Sequence, residues 1–281
     1  MSDTKPEIFI SPRSRLQLLP WKELWDYRSL IALFVRRDFV SSYKQTLLGP
    51  LWFVIPPLIQ TFAFTLLFGR IAKIDTGRAP QSLFFMSGVL VWTFFSATLT
   101  RAAGTFTANA GLFQKVYFPR LIVTIAGIIN NFLSFAIQFV LFLGIYIYYG
   151  ESFKTVNPTF TILLAPLVII QLSLLGLGAG CLITALTTRY RDFVLMLGVG
   201  IQLWMYGSCI VYPLSAVSPE WQWLVLLNPV VPVIETFRYA FFGNSAITLA
   251  QIFVGWLVTL VILVAGLVAF HSAENNFVDT V

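Results

Sequence analysis

Six stretches of this sequence contain no Asp, Glu, Lys or Arg: 45–69, 79–100, 121–150, 155–188, 193–219 and 239–273. Each is longer than the roughly 20 residues a helix needs to cross the hydrocarbon core of a bilayer. They are apolar on all sides, whereas the strands of a membrane barrel alternate apolar and polar in runs of about 10 residues. Charged residues make up 11% of the 281, against about a quarter in soluble domains, too few to clothe a water-facing surface. The chain therefore reads as an all-α integral membrane protein with six transmembrane helices.

Before the first run, charges are spread throughout: Lys5, Arg13, Arg15, Lys22, Arg28, Arg36, Arg37 and Lys44. No early apolar segment precedes them, so no cleaved signal peptide is expected. Six crossings put both termini on one side. With that side cytoplasmic, thirteen Lys/Arg lie inside and five outside, the orientation that the positive-inside rule favours. The margin comes from the N-terminal segment. No internal repeat or low-complexity linker divides the chain, which reads as one domain over 1–281. Its parts are an N-terminal cytoplasmic segment (1–48), a six-span region (49–272) and a short cytoplasmic tail (273–281).

The charges all fall at or beyond the ends of the spans, leaving no acid or base deep in any of them. Proton- and ion-coupled carriers usually need such groups near the midplane, and a membrane hydrolase would need them too. His271 is the only histidine, so HExxH is absent, and no Gly-Lys pair exists to form a phosphate-binding P-loop. If transport here is ATP-driven, another polypeptide carries the ATPase. Cys181 and Cys209 lie inside apolar runs and read as buried small residues.

Polar residues recur at helical spacing within several spans: Thr93, Ser96 and Thr100; Asn130, Ser134 and Gln138, beside Asn131; Gln202 and Tyr206. They read as hydrogen-bonding groups between helices, or as the lining of a hydrated conduit. Gly176 and Gly180 mark a close helix crossing. Aromatics are abundant, Trp92, Trp204 and Tyr206 among them. Most read as packing or interfacial belt residues, though aromatic faces also suit sugars.

Residues 101–120 can hold a short amphipathic helix with Asn109 as N-cap and Pro119 as stop. Between Glu220 and Glu235 the chain is uncharged but too short to cross, and Asn228-Pro229 and Pro232 interrupt it. Two short helices that enter the outer leaflet and return fit this segment, as does an interfacial hairpin anchored by Trp221 and Trp223. Glu235 and Arg238, three apart, can pair on one face.

Four stretches, taken in order, resemble the membrane subunits of type 2 ABC exporters that move polysaccharides such as O-antigen, capsule and teichoic acid. They are RRDFVSSYKQTLLGPLWFVIPPLIQ from residue 36, LFQKVYFPRLIV (112–123), RYRDF (189–193) and LNPVVPVIETFRYAFFG (227–243). The resemblance implies a homodimer bound to two copies of a separate ATP-binding subunit, which would hold ATP and Mg, with no cofactor on this chain and a lipid-linked glycan as cargo. It implies an amphipathic interface helix over about 21–44, with Trp25, Arg36, Arg37, Asp38, Tyr43 and Lys44. That segment fits independently, since Trp21, Leu24 and Trp25 recur at helical spacing among charges. The loop 109–118 would couple to the ATPase through Asn109, Leu112, Phe113, Gln114, Lys115 and Tyr117. Spans one and five would line the conduit, with Phe53, Gln60, Phe64, Trp204 and Tyr206 as candidates and Trp92 beside them. Segment 213–243 would form re-entrant external gate helices, with Trp221, Trp223, Pro229, Pro232, Glu235 and Arg238.

The opening stretch then reads as an elbow. Gly49-Pro50 makes the corner, and Pro56-Pro57 bends span one just inside the membrane, freeing carbonyls that must find partners. Two other readings stay open: a type 2 ABC exporter of drugs or lipids, and an ATP-independent channel.

Overall fold

The computed structural model describes residues 21–44, 46–77, 79–116, 118–153, 160–190, 192–243 and 246–280, and these form helices without a strand among them. The elements are α1 (Trp21–Asp26), α2 (Arg28–Tyr43), α3 (Ile55–Phe64), α4 (Gln81–Ala103), α5 (Thr105–Phe113), α6 (Leu121–Phe153), α7 (Ala165–Arg189), α8 (Asp192–Tyr206), α9 (Pro219–Leu226), α10 (Val230–Phe242) and α11 (Leu249–Thr280). Among the described residues five segments are long and apolar enough to cross a bilayer: Gly49–Ile71, Gln81–Ala103, Leu121–Gly150, Thr161–Thr188 and Leu249–Glu274.

α4 is the hub, with 78% of its most apolar window buried against 11% for the first span. Glycines let α7 press against two neighbours at once. A Cβ on Gly180 would stand 2.4 Å from Ala102 Cβ of α4, and one on Gly176 would stand 2.9 Å from Thr98 Cγ2. Gly178, about 200° around the helix from each, meets α11, where its Cβ would lie 2.6 Å from Leu263 Cα. Small residues on opposite faces thus pack α7 between α4 and α11. Thr184 and Thr187 of α7 donate to the carbonyls of Ala102 and Ala103 at 2.9 and 2.8 Å, closing the end of α4.

Among the described residues, α2 and the end of α11 arrive at the same end of the bundle. Asp38 of α2 pairs with Arg101 at the end of α4, and Arg120, just before α6, donates to the Glu274 carbonyl near the end of α11 at 2.8 Å. The number of crossings is therefore even. The fifth is not the continuous helix expected over 193–219. α8 has 15 residues, a length of about 22 Å, short of the roughly 30 Å core. The chain leaves the helix after Tyr206 and runs as irregular backbone to Pro213.

Three further expectations are corrected. The interface helix is broken at Tyr27 (φ −91°, ψ 15°) into α1 and α2. The loop helix runs over Thr105–Phe113 rather than 109–118; Asn109 leaves helical geometry (φ −121°, ψ 17°) and divides it into two short turns, with its side chain donating back to the Thr105 carbonyl at 2.9 Å. Pro56 and Pro57 lie in the first turn of α3, a position proline tolerates. The irregular backbone precedes them, where Gly49 takes φ +53° at the head of a 3₁₀ turn over Gly49–Phe53. A further irregularity lies at the other end of the span, which continues as a π-helix over Thr65–Ile71.

Candidate functional site

The end of the bundle that holds α2, α5 and the end of α11 is built around aromatic rings. Phe113 of α5 lies 6.1 Å from Phe106 and 5.7 Å from Phe118, and Phe118 lies 5.8 Å from Phe34 of α2. The Arg120 guanidinium covers Phe106 and Phe113 at 5.5 and 5.6 Å. These tilted ring contacts, with Phe106 5.0 Å from Phe270 and Arg120 bonded to the Glu274 carbonyl, join α2, α5, the start of α6 and the end of α11 into one body. Leu112 and Phe113 are half-buried in it, whereas Gln114, Lys115 and Val116 are exposed. The loop thus presents two sets of residues: an inward pair that holds it to the bundle and an outward trio free to meet another surface. Tyr117 lies outside the described residues.

Charge ties α2 down as well. Asp38, with 13% of its side chain exposed, accepts from Arg37 at 2.8 Å and pairs with Arg101. Arg101 runs over Gly127 of α6, where a Cβ would stand 2.5 Å from Arg101 Cγ. Arg36 and Trp25 are exposed, and Arg28 stands 5.4 Å over the Trp25 ring. Tyr43 ends α2, with its side chain outside the description. Lys44 closes the helix through its N–H, which donates to the Val40 carbonyl at 2.9 Å.

At the elbow, Gly49 has φ +53°, and nothing stands within 4 Å of where its Cβ would be. Backbone conformation alone demands glycine there. Exposed Pro50 follows it in the 3₁₀ turn. Phe53 ends the turn, its ring stacked on Phe39 of α2 at 5.7 Å and 9°. Its carbonyl accepts from Gln138 Nε2 of α6 at 2.8 Å.

The segment between α8 and α11 dips and returns. α9 and α10 meet at a 105° bend, with Asn228 at its bottom. Asn228 Oδ1 accepts from Trp204 Nε1 of α8 at 3.0 Å and from the Val230 N–H at 3.1 Å. Its Nδ2 donates to the Gly207 carbonyl at 3.0 Å and to Ser208 Oγ at 2.9 Å. This side chain fastens the returning loop to the end of α8. The Asn-Pro pair at 228–229 was the available signal, since asparagine before a helical run caps it.

Arg238 completes the arrangement. It is buried to 2% and donates to the carbonyls of Cys209 and Ile210 at 2.7 and 2.9 Å and to Glu235 Oε1 at 3.0 Å. Its guanidinium lies 3.6 Å over the Phe84 ring, in the space that Gly88 leaves open on α4. Gly88 is about 10 Å along α4 from its start, so the expectation that all charges lie at the ends of spans is corrected. The pairing of Glu235 with Arg238 is present, but inside the protein. Irregular backbone at membrane depth needs its polar groups satisfied by protein, and Arg238 does this for the carbonyls that follow α8. α8 ends where Gly207 follows Tyr206 and Cys209 takes a left-handed backbone (φ +55°), and Arg238 takes the carbonyls that this break exposes.

The expected gate residues therefore divide. Trp221 and Trp223 on α9 are exposed at 56% and 61%. Pro229 precedes α10, and Pro232, Glu235 and Arg238 lie within it, the last three buried. α10 is core. The Thr161 and Tyr146 hydroxyls donate to its last carbonyls, Ala240 and Phe241, at 2.9 and 2.7 Å. Of the conduit candidates, Trp92 and Phe64 are buried within the protomer at 4% and 7% and line no surface. Trp204 is half-buried, edge-on to Trp92 and Phe95. Gln60 donates to Met205 Sδ at 3.1 Å. Phe53 is half-buried at the elbow and Tyr206 is 45% exposed at the end of α8. The faces left open on α3 and α8 are mainly aliphatic and aromatic, with Phe62 at 70% and Leu195 at 78%.

A family model described as ABC-2 type transporter matches residues 29–242. Over 262 residues the chain is 24% identical to the O-antigen export system permease protein RfbA of Myxococcus xanthus, a match covering 92% of this chain and 98% of that protein. It is 22% identical over 251 residues to the RfbA permease of Klebsiella pneumoniae, covering 89% of this chain and 94% of that one. To the polysialic acid transport protein KpsM of Escherichia coli it is 25% identical over 247 residues, with 87% and 93% covered.

Proposed function

This chain belongs to the ABC-2 type transporter family, and we propose that it is the permease subunit of an ATP-driven exporter of lipid-linked polysaccharide, O-antigen or capsule in type. The observation that carries the reading is likeness over almost the whole length to permeases of O-antigen and capsular polysaccharide export. It favours a glycan over a drug or simple lipid, and an ATP-driven exporter over an independent channel. The protein is a multi-pass component of the inner membrane. In this proposal its termini are cytoplasmic, it works as a homodimer, and two copies of a separate ABC ATPase supply hydrolysis and hold ATP and Mg.

The geometry suggests how force would enter. The ATPase meets Gln114, Lys115 and Val116, and closure of its nucleotide dimer pushes on α5. Because Phe113 packs on Phe118 and Phe118 on Phe34, α5 cannot move without α2 and the foot of α6. The displacement shifts one protomer against the other and opens a path along α3 and α8. A polymer longer than the bilayer is thick then passes in successive steps.

The test is a deletion strain complemented with this chain and its ATPase. The expected outcome is that polysaccharide builds up on the cytoplasmic side in the deletion and returns to the cell surface on complementation. Normal surface polysaccharide in the deletion would overturn the proposal.

A further inference from the structure

Proline has no N–H, so a Pro-Pro pair silences two consecutive donors. In a helix the carbonyl of residue i is taken by the N–H of residue i+4, and in a 3₁₀ turn by that of i+3. For Phe53 these residues are Pro57 and Pro56. Its carbonyl therefore has no helical partner of either kind from its own chain. It lies at the junction where the 3₁₀ turn hands over to α3, whose first backbone bond runs from the Leu58 N–H to the Val54 carbonyl at 3.1 Å. The partner it does have comes from another helix: Gln138 Nε2 of α6, at 2.8 Å. Gln138 is itself held, since its Oε1 accepts from Thr93 Oγ1 of α4 at 3.3 Å.

Phe53 is also where the interface helix touches the span, through its stacked contact with Phe39. Two connections thus meet in one residue, the ring facing α2 and the carbonyl facing α6 and α4. Beyond this junction α3 is lightly held. A small cavity bounded by Pro57, Leu58, Thr61, Val89 and Gln138 separates it from α4 and α6, and the buried Thr61 hydroxyl has no hydrogen-bond partner. The hydrogen bond from Gln138 is the polar connection that fixes the entrance of span one to the bundle.

We propose that Gln138 is a positioning residue for export: it takes the carbonyl that Pro56-Pro57 leaves free, so that movement of α2 reaches α3 from a fixed point. The inference rests on the export reading for its consequence, but the hydrogen bond can be tested without it. Gln138→Leu keeps approximate volume and removes the donor. Pro57→Ala restores an N–H to the Phe53 carbonyl from within the chain. A nitroxide on Trp52→Cys, at an exposed position beside the junction, reports the mobility of the turn.

In the complex with its ATPase, Gln138→Leu is expected to raise label mobility and to lower polysaccharide exported per ATP hydrolysed by about tenfold, the scale of a lost hydrogen bond at a half-buried carbonyl. Adding Pro57→Ala is expected to return both readouts to the level of Pro57→Ala alone. A merely structural glutamine would change the amount of folded complex while leaving the export-to-hydrolysis ratio intact, and that result would overturn the proposal. So would unchanged mobility in Gln138→Leu, or a failure of Pro57→Ala to rescue. If the unsubstituted complex moves no polysaccharide, the functional reading falls instead, and the label still decides whether Gln138 holds the turn.

Discussion

Removing Arg238 should be among the most damaging single changes available in this chain. In Arg238→Met the Glu235 carboxylate stays buried without its cation, and stranding one partner of a buried pair costs about 3–5 kcal/mol. The carbonyls of Cys209 and Ile210 lose their donor at the same time, at about 1–3 kcal/mol each where no water can replace it. These terms overlap, because a freed carboxyl can protonate, so about 5 kcal/mol is the working figure. For a domain of this size it corresponds to a fall of about 10–20 °C in the unfolding midpoint. Glu235→Gln keeps an acceptor for Arg238 and for the Leu214 N–H but leaves the buried cation without its anion, so it should cost about 3 kcal/mol, less than Arg238→Met because no carbonyl loses its donor. Arg238→Met combined with Glu235→Leu leaves no stranded charge and should recover about half of the loss. The assay is thermal unfolding of the three variants in detergent, read as loss of monodisperse protein. Arg238→Met within about 1 kcal/mol of the unsubstituted protein, or a double variant no better than the single, would refute the reasoning.

Gly49→Val forces a β-branched residue to φ +53°, at about 1–2 kcal/mol or more. Export should fall more than in Gly49→Asn, which tolerates that region, and equal export from the two would show that the elbow's conformation is not needed. At the coupling end, Lys115→Glu is exposed and should leave the unfolding midpoint unchanged while weakening co-purification with the ATPase. Phe113→Ala should lower the midpoint as well, by an amount worth about 2 kcal/mol for a half-buried ring. Gly180→Val drives a branched side chain into Ala102 Cβ and the Leu99 carbonyl, so the yield of folded protein should collapse. Gly198→Val, with nothing within 4 Å of its Cβ, should be produced normally.

What the sequence revealed and what it hid follow a physical rule. Long uncharged runs disclose spans because their residues sit in apolar surroundings, lipid or packed protein, and Gly176 and Gly180 disclose a crossing because only small residues permit one. The elbow was legible for a similar reason: Gly49-Pro50 is a local backbone requirement. The early end of α8 was legible only in part: Gly207 follows Tyr206 as a local stop, but Arg238, which takes the carbonyls beyond it, comes from more than 25 residues away. Composition placed that arginine outside the membrane, since a run of apolar residues records where charges are absent and not where a folded chain carries one inward. Asn109 misled in another way. An asparagine before an apolar stretch suits a helix N-terminus, yet here helical turns already begin at Thr105, and Asn109 stands at the break between two of them with its side chain bonded to the preceding turn. The aromatic residues were the least legible, since Trp92, buried, and Tyr206, exposed, differ only in which neighbours the fold brings to them.

The distribution of burial argues for where motion can occur. α4, α7, α10 and α11 are locked by glycine crossings, by hydroxyls bonded to helix-end carbonyls and by Arg238, so sliding any of them would break contacts with no replacement. The first span and α8 sit outside this block with broad apolar faces uncovered. Each is joined to the block by a few polar contacts at its ends: Gln138 at the entrance of α3, Asn228 and Arg238 at the exit of α8. A helix held in this way can shift laterally while losing little buried area, because its open face trades one apolar neighbour for another. Force delivered at α5 and α2 meets the block only at the ends of α4 and α11, which are held along their length, whereas it reaches the loosely packed α3 through Phe39 and Phe53. The loosely packed first span is therefore the element that a push at the interface helix displaces first, and the π-helix at Thr65–Ile71, with its wider hydrogen-bond spacing, is where that displacement can be absorbed.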